Sequence, residues 1–203
     1  YINGGGMNLE WFATTVLHRD RESADRFASL LPDTLDPGTT DPLFIPHMGG
    51  RVSPSQPDMR GTYVGLTWDH TDQEMFMAIL EGVALEYGIY RKALMHMLPK
   101  TTLREMRITG GGAKSTLWKE MKSAVLQVPV RSIGNDYGAP MGSALIAACA
   151  VGIFSSTVEG AEAWIPLSDT VTATEELMGY YRKRLSRYEQ LLEAMNGFYA
   201  GHD

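Results

Sequence analysis

The sequence has a single cysteine, no excess of positive charge and no long apolar run. Cys149 has no second cysteine to pair with, which excludes an internal disulfide framework and is typical of a reducing compartment. The formal net charge of −6 gives no overall attraction to nucleic acid or to an anionic membrane surface. The longest small and apolar run, 139–154, contains Pro140 and Gly142 and falls short of the ~20 residues that span a bilayer. We therefore expect a soluble, cytoplasmic protein with no nucleic-acid partner and no membrane partner.

The composition allows a folded core. At 44% hydrophobic and 21% charged residues, the 203-residue chain differs from disordered proteins. Its length corresponds to one large domain or two small ones. The sequence begins with YINGGG, which leaves no room for a full strand before the first glycines. We therefore expect the chain to be a fragment of a longer protein.

Strands and helices alternate along the chain, apart from one long connection. Residues 32–61 hold six of the ten prolines, and the turn signals in DPGTTDP and SPSQPD predict a long loop in which LFIP is at most a short strand. The other patterns predict strands at 1–3, 62–68, 104–109 and 128–133 and helices at 7–30, 115–127, 140–151 and 175–199. This alternation predicts an α/β domain.

The clearest predicted helix follows a capping box formed by Thr71 and Glu74. Apolar residues recur at helical spacing after it, and Pro99 ends the pattern. Gly82 and Gly88 lie inside this helix, where glycine lowers helix stability. We expect close packing contacts at both glycines.

Two glycine segments each precede a predicted helix. MRITGGGAKSTLW starts at Met106; it is not a phosphate-binding P-loop, because Ala113 precedes Lys114, and it is not a dinucleotide fingerprint, because Ser115 stands where the third glycine is needed. NGGGMNLEW, which starts at Asn3, repeats the arrangement. Glycines at a helix N-terminus present bare backbone N–H groups to an anion. Two such segments suggest the walls of a phosphate or nucleotide cleft, and two tight turns that bind nothing are the alternative.

Other polar residues favour structural interpretations. The five histidines have no metal-ligand spacing with one another or with the cysteine. RKRLSR, at 182–187, is interpreted as the solvated face of the last helix. Asp69 and Asp136 are the nearest candidates for a catalytic carboxylate, and each is more simply a turn or capping residue.

Four stretches together resemble one family. GGGAKSTLWKEMKSAVLQVPV (110–130) and YGAPMGSALIAACAVGIF (137–154) resemble the C-terminal half of FGGY carbohydrate kinases, which include xylulokinase, glycerol kinase, gluconokinase and ribulokinase. YVGLTWDHTDQEMFMAILEGVALEYG (63–88) is similar to the second signature of the family. PLFIPHMGGRVSP (42–54) resembles a loop of xylulokinase-like members that reads Pro-Tyr-Leu-x-Gly-Glu-Arg-x-Pro. The stretches follow the order of the family up to about Phe154.

The resemblance implies the fold and the division of labour. Members have two actin-like ATPase, ribonuclease-H-like α/β domains on either side of a cleft, and we expect here a mixed sheet flanked by helices. The N-terminal domain holds the sugar and the aspartate that acts as general base, and the C-terminal domain holds most of ATP with Mg²⁺. Residues 1–203 would be the C-terminal nucleotide-binding domain without its opening phosphate-binding hairpin. The implied activity is phosphorylation of a sugar or polyol, xylulokinase-like, with no catalytic residue and no metal ligand in this chain.

The resemblance also implies the residues that contact nucleotide. Gly111, Gly112 and Ala113 match the adenosine motif, which lies against the nucleoside and α-phosphate, and Thr116 stands where glycerol kinase has an adenine-contacting asparagine. Gly6 matches a glycine near the terminal phosphates, and Glu10 stands where a glutamine contacts nucleotide. The predicted nucleotide-binding residues are Gly6, Glu10, Gly111, Gly112, Ala113 and Thr116.

The chain also departs from the family pattern. Arg51 and Val52 replace the Glu-Arg pair of the xylulokinase-type loop, so the sugar is left open. The expected partners are ATP and a sugar bound mainly by the N-terminal domain, and a homodimer is a candidate assembly. Two other functions stay open: a non-catalytic actin-like module that uses nucleotide as a switch, and a structural α/β domain that binds nothing.

Overall fold

The computed structural model describes residues 4–20, 31, 35–36, 42–134 and 138–200. Its helices are α1 (Gly5–Trp11), α2 (Asp72–Met97), α3 (Thr116–Leu126), α4 (Gly138–Ala150), α5 (Thr157–Trp164) and α6 (Glu175–Tyr199). A π-helical segment (Phe12–Val16) follows α1, and a 3-10 turn (Gly111–Ala113) precedes α3. The strands are β1 (Leu43–Ile45), β2 (Thr62–Val64), β3 (Met106–Ile108), β4 (Val130–Ile133) and β5 (Leu167–Val171). Of the helical region predicted at 7–30, residues 7–16 are helical, residues 17–20 are not, and residues 21–30 lie outside the described residues, as does the strand predicted at 1–3.

Helix α2 is the centre of the fold. Its N-terminus has the predicted capping box: Thr71 Oγ1 accepts the Glu74 N–H at 3.3 Å, and Glu74 Oε2 accepts the Thr71 N–H at 2.7 Å. Residues 76–86 are buried on every side of the helix, whereas the sequence pattern predicted a single apolar stripe. The cause is packing against several elements at once, since α2 contacts α1, β1, α3 and α6.

The glycines of α2 confirm the predicted close contacts. A Cβ atom at Gly82 would overlap the carbonyl oxygen of Phe44 on β1. A Cβ at Gly88 would lie 2.8 Å from Val125 Cγ1 of α3 and 2.9 Å from Leu185 Cδ1 of α6. These glycines let the neighbouring elements approach the helix axis.

The larger sheet is mixed, in the order β3-β4-β5. Strands β3 and β4 are parallel, with Met106 opposite Val130, and β5 runs antiparallel to β4, with Val171 opposite the same Val130. Strands β1 and β2 form a separate antiparallel pair. The predicted α/β class with a mixed sheet is confirmed, although neither β5 nor α5 was predicted from the sequence.

Helix α6 has the predicted bounds, but the prediction that all of residues 182–187 lie on its solvated face is wrong for one arginine. Arg184 was predicted on the solvated face, and it is only 7% exposed. Its guanidinium donates from Nε to Glu81 Oε1 at 2.9 Å and from Nη2 to Glu81 Oε2 at 2.8 Å. The reason is its position three residues after Tyr181 and four before Tyr188, which are both fully buried, so Arg184 shares their face.

None of the helices in the described ranges is long and apolar enough to cross a bilayer.

Candidate functional site

The glycines of MRITGGGAKSTLW form a tight turn between β3 and α3. Residues 110–113 make up this glycine turn. Gly110 has φ 84°, a backbone conformation that favours glycine. The Ala113 N–H donates to the Gly110 carbonyl at 3.0 Å. Ser115 then caps α3, because its Oγ accepts the Trp118 N–H at 3.2 Å. The turn therefore lies at the positive end of the α3 dipole.

The glycine turn is fixed to the sheet through its last residue. Ala113 is buried and packs with Ile108 of β3 and Val130 of β4. Its carbonyl accepts a hydrogen bond from Ser132 Oγ at 3.1 Å. Of the predicted nucleotide-binding residues, Ala113 is thus the one that anchors the turn to the sheet.

Gly112 is a glycine because of an indole ring. A Cβ at this position would lie 2.5 Å from Trp118 Cζ3 and 2.8 Å from Trp118 Cε3. Its φ is not in the positive range, which in this turn is reached at Gly110. Packing against Trp118 therefore supplies a structural reason for this glycine.

The outer side of the turn is open. Gly6, Glu10, Gly111 and Thr116 are exposed. Apart from the adjoining residues and the backbone of the same helix, no described atom lies within 4 Å of a Cβ built at Gly111 or at Gly6. Gly111 and Thr116 therefore present bare backbone and a short side chain to open space at the turn, and Gly6 and Glu10 are exposed on α1.

The fold brings both glycine segments to one turn of α2. A Cβ at Gly5, in the segment NGGGMNLEW, would lie 3.6 Å from Val83 Cγ1. Trp118 Nε1, from the ring that packs under the glycine turn, donates to the Leu80 carbonyl at 3.0 Å. Leu80 and Val83 are three residues apart, so they lie on one face of α2. The two segments are linked through this shared support.

A buried lysine lies beside the same ring. Lys122 is 5% exposed, and its Nζ lies 3.7 Å from the centroid of the Trp118 ring and 5.9 Å from that of Tyr87. Burial lowers the pKa of Lys122 to about 8 and raises the pKa of Tyr87. Sequence reasoning missed both Trp118 and Lys122, although their i, i+4 spacing on a predicted helix is a signal that could have paired them.

The buried carboxylate of Glu86 belongs to a structural network. His47 Nε2 lies 3.1 Å from Glu86 Oε1, Arg51 Nη2 lies 3.2 Å from Glu86 Oε2, and the Tyr188 hydroxyl donates to Oε1 at 2.9 Å. Burial acts to raise the pKa of Glu86, but the hydrogen bonds and charges of these partners outweigh it and lower the pKa. The network fixes the loop before β2 to α2 and α6. It also explains the unusual Arg51, which pairs with Glu86.

Among the described residues, the other carboxylates of interest lie apart from the glycine turn or are already paired. Glu81 is held by Arg184. Asp69 is exposed in a turn, and Asp136 lies outside the described residues. In the described part of the chain, no group of three or more His, Cys, Asp or Glu residues is arranged to hold a metal ion.

A groove of about 710 Å³ lies between α5 and the mixed sheet. It is lined by residues that include Arg107, Ile133, Val158, Glu162 and Leu167. None of the predicted nucleotide-binding residues lines it, so it is separate from the glycine turn.

The amino-acid sequence of this chain is similar to those of known kinases. Xylulose kinase of Staphylococcus epidermidis is 25% identical over 187 residues, which cover 92% of this chain and 37% of that protein. Gluconokinase of Bacillus subtilis is 28% identical over 163 residues, which cover 76% of this chain and 31% of that protein. The chain therefore spans less than half the length of the curated relatives that it matches.

Solved structures share the fold. A ligand-bound xylulose kinase of Lactobacillus acidophilus matches 99% of this chain with a TM-score of 0.81 at 21% identity. A gluconate kinase of the same organism matches 99% of the chain with a TM-score of 0.82 at 21% identity. In each case the match covers 40% of the longer protein. The predicted actin-like ATPase fold is confirmed by these neighbours.

A sequence model described as the FGGY family of carbohydrate kinases, C-terminal domain, matches residues 2–151. This match covers most of the chain, including α1, α2, α3, α4 and the glycine turn. The chain therefore belongs to the FGGY family of carbohydrate kinases, and its residues 2–151 match the C-terminal domain of that family.

Proposed function

We propose that this chain supplies the ATP-binding half of the interdomain cleft in an ATP-dependent kinase of a sugar or polyol. The observation that carries the proposal is the glycine turn. Its backbone is bare at Gly111, open on the outer side, anchored beneath by Ala113 and placed at the N-terminus of α3. Such a turn suits the close approach of a nucleotide and its negative charge.

Each predicted residue has a role in this proposal. The backbone of Gly111 and Gly112 would lie against the nucleoside and the α-phosphate, and Thr116 would contact the adenine edge. Gly6 would lie near the terminal phosphates, with Glu10 facing the nucleotide through water. Mg²⁺ would neutralise phosphate charge, and it would be bound largely by the phosphates and water, as this ion commonly is in phosphoryl-transfer sites.

The sugar and the general base would come from a domain outside these 203 residues. Phosphoryl transfer depends on positioning and charge neutralisation, and a base must reach the sugar hydroxyl within ~3 Å or through one water. The glycine turn offers neither a base nor a sugar pocket. We therefore propose that closure of two domains assembles the site and excludes water, and that this chain alone is inactive.

The relatives guide the substrate panel. The similar proteins described above include a xylulose kinase and a gluconokinase, so a ketopentose, a sugar acid and related polyols are the first substrates to test. A cytoplasmic location and a homodimer are further parts of the proposal.

Calorimetric titration with MgATP and MgADP tests the binding role. Gly111→Leu fills open space without meeting a described atom at its Cβ, so it should leave folding intact and abolish nucleotide binding. Gly197→Leu is the matched control, because Gly197 of α6 is also exposed with open space around it, and it should bind as the wild type does. Absence of binding in the wild type at millimolar nucleotide, or unchanged affinity in Gly111→Leu, would contradict the proposal.

A nucleotide-dependent switch without catalysis is the alternative. Nucleotide binding without phosphorylation of any sugar by the full-length protein would favour the switch.

A further inference from the structure

We propose that Trp118 and Lys122 are positioning residues that hold the Gly112 backbone where nucleotide binding requires it. This inference rests on the function proposed above. It goes beyond that function because neither side chain belongs to the predicted nucleotide-binding residues. Neither is proposed to touch nucleotide, so both act through the turn.

Three contacts fix the indole ring. Its Nε1 donates to the Leu80 carbonyl of α2 at 3.0 Å. The Lys122 ammonium lies 3.7 Å from the ring centroid. The benzene part of the ring lies against Gly112, whose Cβ, if present, would be 2.5 Å from Cζ3. Because the ring is held on α2 and packs against the turn, it limits how closely the Gly112 backbone can approach α2.

Lys122 is an unusual residue for its place. It is 5% exposed on a helix whose neighbouring positions, Met121 and Val125, are apolar core residues. Burying an ammonium costs free energy that a methionine of similar size would not, and such local violations tend to occur at functional sites. Its contacts with aromatic faces are the interaction that a buried cation gains most from.

The charge is present under physiological conditions. Burial lowers the pKa of Lys122 to about 8, so the ammonium form predominates at neutral pH. A desolvated cation over an indole face interacts more strongly than an exposed one. The lysine therefore acts on the ring through its charge as well as its volume.

The test uses the full-length protein and four variants. Trp118→Phe removes the indole N–H and part of the ring, and Lys122→Met removes the charge at similar volume. Trp68→Phe changes a fully exposed tryptophan, and Lys119→Met removes a partly exposed charge from the same helix. For each, calorimetry gives the Kd for MgATP, steady-state kinetics give KM for ATP and for the sugar, and thermal unfolding gives Tm.

The expected result separates positioning from stability. Trp118→Phe should raise the Kd and KM for ATP at least about tenfold, because small displacements of a binding group have large effects. Lys122→Met should raise them at least about threefold with no fall in Tm, since the variant removes a buried charge. KM for the sugar should stay unchanged. The change in tryptophan emission on MgATP binding should be as large in Trp68→Phe as in the wild type and smaller in Trp118→Phe.

Three results would overturn the inference in distinguishable ways. If the wild type binds MgATP and Lys122→Met binds it equally well, the positioning role is wrong and the proposed function stands; this variant decides even if Trp118→Phe fails to fold. If ATP and sugar KM rise together with a fall in Tm, the ring is only structural. If the wild type binds no nucleotide, the proposed function and the inference are both wrong.

Discussion

Lys122→Met should make the stability of this domain respond differently to pH. In the wild type, Lys122 lies in the interface of α2 and α3 with 5% of its surface exposed, facing the rings of Trp118 and Tyr87. Burial lowers its pKa from 10.5 to about 8. Methionine fills a similar volume and does not titrate.

The direction of the stability change with pH follows from proton uptake on unfolding. The folded-state pKa is below the unfolded one, so between them the unfolded chain binds more protons than the folded chain. The wild type therefore becomes more stable as the pH rises above about 8, and it carries the full penalty of the buried ammonium below that pH. Between pH 7 and pH 9.5, a pKa of about 8 against 10.5 corresponds to a gain of about 2 kcal/mol.

Urea unfolding of the wild type and of Lys122→Met at pH 7 and at pH 9.5 measures the contribution of Lys122 to the free energy of unfolding, as a difference between the two proteins. The wild type should gain about 2 kcal/mol relative to the variant, because other titrating groups, Tyr87 among them, are common to both proteins. Lys119→Met, on the same helix and partly exposed, should show no such change. A wild-type-to-Lys122→Met difference that is the same at pH 7 and pH 9.5 would refute the burial of a perturbed ammonium here.

Two further predictions concern packing and the buried ion pair. Gly112→Ala should lower the free energy of unfolding by about 1–3 kcal/mol and weaken nucleotide binding, because its Cβ meets the indole ring, whereas Gly111→Ala should leave stability unchanged in the same thermal melts. Arg184→Met should cost about 3–5 kcal/mol in urea unfolding because it leaves the carboxylate of Glu81 buried without its partner. Arg187→Met, which changes an exposed arginine on the same helix, is the control, and equal effects of the two arginine variants would contradict the buried pair.

Local signals in the sequence predicted much of the fold. The capping box of Thr71 and Glu74 involves groups three residues apart, so the sequence contains the whole interaction. Gly82 and Gly88 cost helix stability, and that cost alone indicated close neighbours on α2. The bounds of α6 followed from its apolar stripe in the same way.

Interactions between distant residues could not be predicted. Arg184 and Glu81 are 103 positions apart, and a basic residue among other basic residues looks like part of a solvated face. The ion pair of Arg51 and Glu86 joins a proline-rich loop to a helix, and neither segment signals the other. Tertiary packing decides such pairs, and a local pattern does not contain it.

In the candidate site, too, the local features were predicted and the contacts between distant residues were not. The glycine turn and its place between β3 and α3 were predicted from the sequence. The support of the turn by Trp118 and Leu80 depends on how α2 packs against α3, which only the fold reveals. The nucleotide-binding roles of the predicted residues stay predictions until binding is measured.

A coupled assay of ADP release with MgATP across a panel of ketopentoses, sugar acids and polyols tests the central claim most directly. It should be run on the 203-residue chain and on the full-length protein under the same conditions. The account predicts sugar-dependent ADP release by the full-length protein and none by the chain alone, because the general base and the sugar pocket are proposed to lie outside the chain. Sugar-dependent turnover by the 203 residues alone, lost in Asp69→Asn or Asp136→Asn, would contradict it, as would a full-length protein that releases no ADP with any sugar.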